Sequence, residues 1–125
     1  MGKLWVLVIA VLMAGVAPLS PALAAEKAVY DLVGTNPGDS QGGYKGTVTL
    51  ETVGQLVKVT WALADGSKVT GTGLSNGNTM AVGYPAGKAY GVCLYVRDPA
   101  TEEVNGVWTM SGSTTLGTER WTLRH

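Results

Sequence analysis

Residues 69–84, VTGTGLSNGNTMAVGY, decide the fold of this chain, because their glycines suit either a nucleotide-binding loop or a hairpin. In a dinucleotide-binding loop, the pattern Gly-x-Gly-x-x-Gly opens a helix. Here Gly71 and Gly73 are followed by Gly77, one position too late, and the surrounding threonine and valine favour strands. Asn76-Gly77 is also a two-residue signal for a type I′ hairpin turn. The segment therefore predicts two antiparallel strands joined by a tight turn.

The same pattern continues through most of the chain, where short runs rich in valine, threonine, tyrosine and tryptophan are separated by turn-forming residues. It predicts eight strands, at residues 28–34, 44–52, 56–64, 68–74, 79–84, 89–96, 104–110 and 115–123. Most of the connections are short, which suits hairpins and excludes parallel crossovers. Asp65-Gly66 is a second signal for a type I′ turn.

Alternation within the predicted strands indicates one apolar and one polar face. In residues 56–63, the side chains of Val57, Val59 and Trp61 share one face, and those of Lys58 and Thr60 share the other. Glycines also recur inside the strands, at positions 46, 71, 73, 83, 91, 106 and 117. A small closed barrel explains them, since its strands bend sharply and its interior has little room for large side chains.

These features predict an all-β fold, an eight-stranded antiparallel up-and-down meander barrel in which the last strand pairs with the first. A two-sheet β-sandwich is the alternative. An outer-membrane barrel fits less well, because its strands run about nine to eleven residues and present an apolar face to lipid.

The first 24 residues have the form of a secretory signal peptide, with a helical apolar core. Lys3 precedes the apolar residues 4–17, and Ala22-Leu23-Ala24 provides the small residues of a cleavage site. The apolar run is shorter than the roughly 17 to 25 residues that span a bilayer, so no stable membrane insertion is expected after cleavage. The sequence predicts a secreted or periplasmic protein whose single barrel domain is residues 25–125.

Charge and rare residues limit the possible functions. Removal of Lys3 leaves eight basic and nine acidic side chains without a basic patch, which disfavours nucleic acid as a partner. Cys93, the only cysteine, cannot form an internal disulfide and is expected to be a small buried residue on a strand, with an intermolecular bridge or a reactive thiol as the alternatives. The only histidine is the terminal His125, which excludes a multi-histidine metal site and a nucleophile activated by an internal histidine. No catalytic residue, metal or cofactor is predicted, and the chain is not expected to be an enzyme.

Carboxylates leave one formal route to catalysis, a pair for glycoside hydrolysis drawn from Asp98, Glu102, Glu103 and Glu119. The first three lie in a predicted loop, where solvated charge is the ordinary explanation. Glu119 alternates in phase with Trp121. If that face points inward, Glu119 is buried and needs an arginine, tyrosine or backbone partner; otherwise it lies at the barrel rim.

Eight aromatic residues follow the predicted signal peptide, and none is phenylalanine, so each carries a polar group. Such side chains suit a pocket mouth or a protein interface, as well as a core. The candidate ligand-binding residues are Trp61, Tyr84, Tyr90 and Trp108. Trp61 and Trp108 are expected to project into the barrel and to fill most of it, because short strands enclose little volume. The inward glycines at positions 71, 73 and 106 favour the alternative, in which a pocket remains.

Several segments resemble small exported bacterial proteins labelled fibronectin-binding protein: GTNPGDSQGGYKGTVTLE (34–51), VTWAL (59–63), GTGLSNGNTMAVGY (71–84), GVCLY (91–95) and GVWTMSGSTTLGTERWT (106–122). The chain departs from that family in its first loop, where Gly38-Asp39 replaces the order Asp-Gly. The resemblance implies an exported, non-enzymatic protein and assigns no binding residues. A looser likeness, in topology, is to the avidin and lipocalin barrels.

The sequence thus predicts an exported, non-enzymatic binding module. It would recognise an extracellular or matrix protein, such as fibronectin, through its two longest rim loops, residues 35–43 and 97–103. The alternative is capture of a small apolar ligand inside the barrel, in the manner of avidins and lipocalins.

Overall fold

The structure, a computed structural model, describes residues 24–39 and 42–125. It contains eight strands: β1 Glu26–Thr35, β2 Gly43–Val53, β3 Leu56–Leu63, β4 Lys68–Asn76, β5 Thr79–Ala86, β6 Ala89–Arg97, β7 Val104–Met110 and β8 Gly117–Leu123. Each predicted strand is present, with ends within two residues of the prediction. The predicted signal peptide, residues 1–24, lies outside the described residues except for Ala24.

The strands form one closed antiparallel barrel in sequence order. Each strand pairs with the next, and β8 returns to β1 with a register from Tyr30 opposite Leu123 to Thr35 opposite Thr118. The predicted meander barrel is confirmed, and the alternative of a two-sheet sandwich is wrong. Closure pairs the first strand with the last, so the sheet has no free edge.

The interior is packed by the inward face of every strand. In β3 the inward side chains of Val57, Val59 and Trp61 are buried, while Lys58 and Ala62 are exposed, as the alternation predicts. The largest fully buried side chains are Trp121, Tyr95, Leu32, Val48 and Val59. Burial of each large apolar side chain stabilises the fold by about 1.5–3 kcal/mol.

The hairpin at residues 76–79 differs from its prediction in turn type. Asn76 pairs with Thr79, so Gly77 and Asn78 are the two central residues, and of these only Gly77 has positive φ, at 62°. A type I′ turn requires positive φ at both central positions, whereas type II′ requires it only at the first. The prediction of a type I′ turn at Asn76-Gly77 is therefore wrong. Two other hairpins, Gly54-Gln55 and Gly87-Lys88, repeat the pattern of glycine first.

The Asp65-Gly66 turn is also not of type I′. The N–H of Gly66 donates to the carbonyl of Leu63, and only Gly66, at φ 96°, has positive φ in this turn. The Asp65 carboxylate accepts hydrogen bonds from the N–H and hydroxyl of Ser67, at 2.9 and 2.6 Å. This local bonding gives a three-residue loop with glycine at its left-handed position, a common hairpin class.

The two ends of the barrel carry different loops. The β1–β2 end carries the connections after β1, β3, β5 and β7, of which the structure describes residues 36–39, 42, 64–67, 87–88 and 111–116. The β6–β7 end carries the connections at residues 54–55, 77–78 and 98–103, together with the first residues of β1 and the last residues of β8. Within the described part of the chain, no helix is long and apolar enough to cross a membrane.

Candidate ligand-binding site

A cavity of about 210 Å³ opens at the β1–β2 end of the barrel. Its lining residues are Asn36, Tyr44, Trp61, Leu63, Asp65, Val69, Tyr84, Cys93, Trp108 and Glu119. Asn36 and Asp65 belong to loops at the mouth, and the others are carried by strands β2 to β8. The site is thus built on rigid elements, with only its rim on loops.

Four aromatic rings, Tyr44, Trp61, Tyr84 and Trp108, form a continuous wall of the cavity, here called the aromatic wall. Tyr84 lies between the two indoles, with ring centroids 5.5 Å from Trp61 and 6.4 Å from Trp108. Tyr44 meets Trp108 edge to face at 6.2 Å. Tilted and edge contacts at these separations are the favoured geometries of aromatic pairs, so the rings support one another.

Glycines on neighbouring strands make room for these rings. Directly across the sheet lie the pairs Tyr44 and Gly34, Tyr84 and Gly91, and Trp108 and Gly117. A Cβ atom at Gly34 or Gly91 would overlap the tyrosine ring opposite, and one at Gly117 would lie 2.7 Å from Trp108 Nε1. The glycines inside the strands therefore allow aromatic rings to lie against the inner wall. This is a second reason for their presence, beside the predicted bending of the strands.

Glu119 forms the floor of the cavity and accepts four hydrogen bonds. Its Oε1 accepts from Tyr95 Oη at 2.7 Å, Trp121 Nε1 at 2.9 Å and Trp61 Nε1 at 3.1 Å. Its Oε2 accepts from Tyr44 Oη at 2.6 Å. Only 8 % of Glu119 is exposed, so the conditional prediction of a buried Glu119 on the inward Trp121 face is confirmed. Two of its partners are tyrosines, one of the partner types that the sequence predicts. The other two are tryptophans, which the sequence did not indicate.

Burial and the Glu119 charge keep the surrounding hydroxyls protonated. Burial, and then the charge of Glu119, raise the pKa of Tyr44 and of Tyr95 far above the ordinary tyrosine value. The nearby N–H of Trp108 opposes a small part of the rise in the pKa of Tyr44. Trp108 Nε1 itself is buried and makes no hydrogen bond to any described residue. Both tyrosines are therefore donors, not anions, at neutral pH.

Two further lining groups are also protonated at neutral pH. Burial raises the pKa of Cys93 to about 11, which makes it an inert thiol instead of a reactive thiolate. It is buried on β6, as predicted. Burial likewise raises the pKa of Tyr84 to about 12, and its hydroxyl donates to Met110 Sδ at 3.2 Å.

The structure brings together three of the four predicted ligand-binding residues. Trp61, Tyr84 and Trp108 all line the cavity, and both tryptophans project into the barrel as predicted, although they leave its β1–β2 end open. Tyr90 lies apart from them, on the outer face of β6, and is 60 % exposed. Tyr44 is the member of the wall that the sequence did not select, because its cross-strand position becomes apparent only once the register is known.

The carboxylates do not assemble as a hydrolytic pair. Glu119 lines the cavity at the β1–β2 end, whereas Asp98, Glu102 and Glu103 lie in the loop at the opposite end. There Glu102 forms an ion pair with Arg97 at 2.9 Å, beside a second and more polar cavity of about 440 Å³. The described residues contain no group of three or more histidine, cysteine or acidic side chains placed to hold a metal ion.

No model of a known protein family matches the chain, and no curated protein matches its sequence. The likeness to fibronectin-binding proteins and to avidin and lipocalin barrels stays a prediction.

Proposed function

We propose that this protein is an exported, non-enzymatic binding protein that captures a small, largely apolar molecule in the cavity at the β1–β2 end. The observation that carries this proposal is a cavity walled by four aromatic rings and floored by one buried carboxylate. Binding sites for small molecules are typically concave, mostly apolar and furnished with a few placed polar groups. The lining at this end of the barrel has that composition.

The size of the cavity limits the ligand. An apolar cavity of about 150 Å³ holds benzene. The cavity here is about 210 Å³, so it suits a single ring with a short substituent. Because the glycines and Glu119 already hold the rings in place, binding would cost little ordering of side chains, which favours affinity.

Tryptophan fluorescence tests capture directly. Titration of the purified protein with benzyl alcohol and with benzylamine should give a saturable change in emission, which Trp108→Leu should reduce. Val69→Phe, which fills the cavity, should abolish the change. The matched variant Thr70→Phe adds the same bulk at an exposed neighbouring position and should retain it. Loss of the signal in both phenylalanine variants, or in neither, would contradict capture at this site.

Export is the second part of the proposal, and it is supported by the signal-like residues 1–24. Cleavage after Ala24 would release a chain that begins at Ala25. N-terminal sequencing of the secreted or periplasmic fraction should give that start, whereas an intact Met1 in that fraction would contradict export by cleavage.

Protein recognition is the second candidate function. The surface that best suits it is the outer wall of β6, not the rim loops. Tyr90, Val92, Leu94 and Val96 alternate along β6 and are each about half exposed or more, beside the exposed Val107 of β7. Contiguous exposed apolar side chains commonly mark an interaction site. The predicted partner is an extracellular protein such as fibronectin.

Surface plasmon resonance on immobilised fibronectin tests this candidate. The protein should bind, and Leu94→Lys should abolish binding while leaving the fluorescence response to benzyl alcohol intact. Lys58→Leu, a change on the outer face of β3, serves as the control and should bind normally. Unaltered binding by Leu94→Lys would assign recognition to another surface.

A further inference from the structure

The cavity at the β1–β2 end has an unbalanced charge. Its lining includes two carboxylates, Glu119 at the floor and Asp65 at the mouth, and none of the described lining residues is lysine, arginine or histidine. Hydrogen bonds from Ser67 hold the pKa of the exposed Asp65 below its ordinary value, so this carboxylate is ionised at neutral pH. Buried charges in proteins are normally paired with an opposite charge, yet the four donors to Glu119 are all neutral.

The Glu119 carboxylate can accept a further hydrogen bond. Each carboxylate oxygen carries two lone pairs and so offers about two acceptor positions. Among the described residues, Oε1 accepts from three donors, whereas Oε2 accepts only from Tyr44. Glu119 lines the cavity, and Oε2 is its oxygen with fewer protein donors, so it is the acceptor for a donor on a ligand.

The aromatic wall favours the same kind of ligand. The faces of tryptophan and tyrosine rings carry negative partial charge and attract cations, most strongly where water is excluded. Trp61, Tyr84 and Trp108 adjoin one another along the cavity, next to the carboxylate. Both the wall and the floor therefore attract positive charge, and neither offers a charged partner to an anion.

We infer that the cavity binds a compact organic ammonium ion, whose N–H donates to Glu119 Oε2 and whose apolar part lies against the aromatic wall. The inference rests on the proposed capture function and gives the chemical class of its ligand. An anion would meet the Glu119 and Asp65 charges, and a neutral ligand would leave Glu119 without a counter-charge.

Isothermal titration calorimetry at pH 7 with three probes of similar shape tests the inference. The probes are benzylamine, which is protonated at this pH, neutral benzyl alcohol and anionic benzoate. We expect benzylamine to bind about tenfold or more tightly than benzyl alcohol, as a charge-assisted contact should, and benzoate to bind weakest. Equal or tighter binding of benzyl alcohol or benzoate would overturn the cation inference and leave capture standing. Failure of all three to bind would overturn capture itself.

Two variants assign the preference to the carboxylates. Glu119→Gln preserves the shape of the side chain, and the Tyr44 hydroxyl can rotate to accept from the new amide, so the preference for benzylamine should fall to about threefold or less. Asp65→Asn, at an exposed position, keeps the Oδ1 acceptor for Ser67 and should lower the preference by about twofold with little effect on folding. Benzyl alcohol, which carries no charge, should lose less affinity than benzylamine in both variants. A full tenfold preference retained in Asp65→Asn and in Glu119→Gln would overturn the inference, and the Asp65 variant decides if the other does not fold.

Discussion

At the scale of the residue, Glu119 links the stability of the barrel to its cavity. It is a buried carboxylate whose hydrogen bonds reach Tyr44, Trp61, Tyr95 and Trp121, which are carried on four different strands. Hydrogen bonds to a charged group contribute more than those between neutral groups, about 1.5–3 kcal/mol each. One side chain therefore fixes two rings of the core and two rings of the aromatic wall.

Replacement of Glu119 should show this role. Glu119→Ala leaves four donors without their acceptor and should lower the free energy of unfolding by about 4 kcal/mol or more. Glu119→Gln keeps an acceptor for the Oε1 donors and should cost less than half as much. Urea denaturation followed by circular dichroism measures both. An alanine variant as stable as the glutamine variant would contradict the network.

At the scale of the element, alternation and turn residues were enough to predict every strand, but not how two strands face each other. The pairs of aromatic residue and glycine, such as Tyr84 and Gly91, depend on cross-strand register, which neither strand encodes alone. The predicted type I′ turn at Asn76-Gly77 was wrong for a related reason, because the type of a turn also depends on the register of its strands. Asn76-Gly77 has the composition of a type I′ turn, yet pairing of Asn76 with Thr79 moves the turn forward by one residue.

The pairing of glycine with an aromatic ring predicts a sharp difference between two glycines. A methyl group at Gly91 would overlap the Tyr84 ring, whereas one at Gly83 would meet only the Gly91 carbonyl oxygen at 3.7 Å, an ordinary contact. Gly91→Ala should therefore destabilise the protein by about 1–3 kcal/mol, as overpacking does, and weaken ligand binding. Gly83→Ala is the control and should be close to neutral in thermal denaturation. Equal effects would contradict the packing of Tyr84 against Gly91.

The β4–β5 turn gives a second test at this scale. Gly77 has φ of 62° with open space around it, so Gly77→Val adds backbone strain without a steric contact. It should lower the free energy of unfolding by about 1 kcal/mol or more. Asn78→Val changes the other central residue, which does not have positive φ, and should cost less. An unchanged denaturation midpoint for Gly77→Val would argue against this turn.

At the scale of the whole molecule, the order of the strands follows from the sequence, whereas the cavity does not. Hairpins of this length leave antiparallel neighbours in sequence order, so the meander could be predicted. The open cavity could not, because its volume depends on where the Trp61 and Trp108 indoles settle within the barrel. The burial of Glu119 could be predicted only on the condition that the Trp121 face of its strand points inward, because the alternation does not show which face does so.

Burial of protonated groups predicts alkaline sensitivity for the whole fold. The folded-state pKa values of Cys93 and Tyr84, about 11 and about 12, lie above their ordinary values of 9.0 and 10.0, and Tyr44 and Tyr95 shift in the same direction. As pH rises past the ordinary values, the unfolded chain loses these protons before the folded protein does, so stability falls. Below pH 9 the contribution of these groups is fully present.

Urea denaturation midpoints between pH 7 and pH 12 measure this effect. The midpoint should be nearly constant up to about pH 9 and should then decrease through pH 12. Cys93→Ala should remove the part of the decrease that begins at the lower pH. A midpoint that stays level or rises between pH 9 and pH 12 would show that these groups are not held protonated by the fold.

The most direct test of ligand capture is a crystal structure of the protein with benzylamine. The ring of the ligand should lie in the cavity against Tyr84 and Trp108, with its nitrogen about 2.7–2.9 Å from Glu119 Oε2. Tyr44, Trp61 and Tyr95 should keep their hydrogen-bonding or ring contacts. A cavity closed by rearranged aromatic side chains, or a ligand bound instead on the outer face of β6, would contradict ligand capture in this cavity.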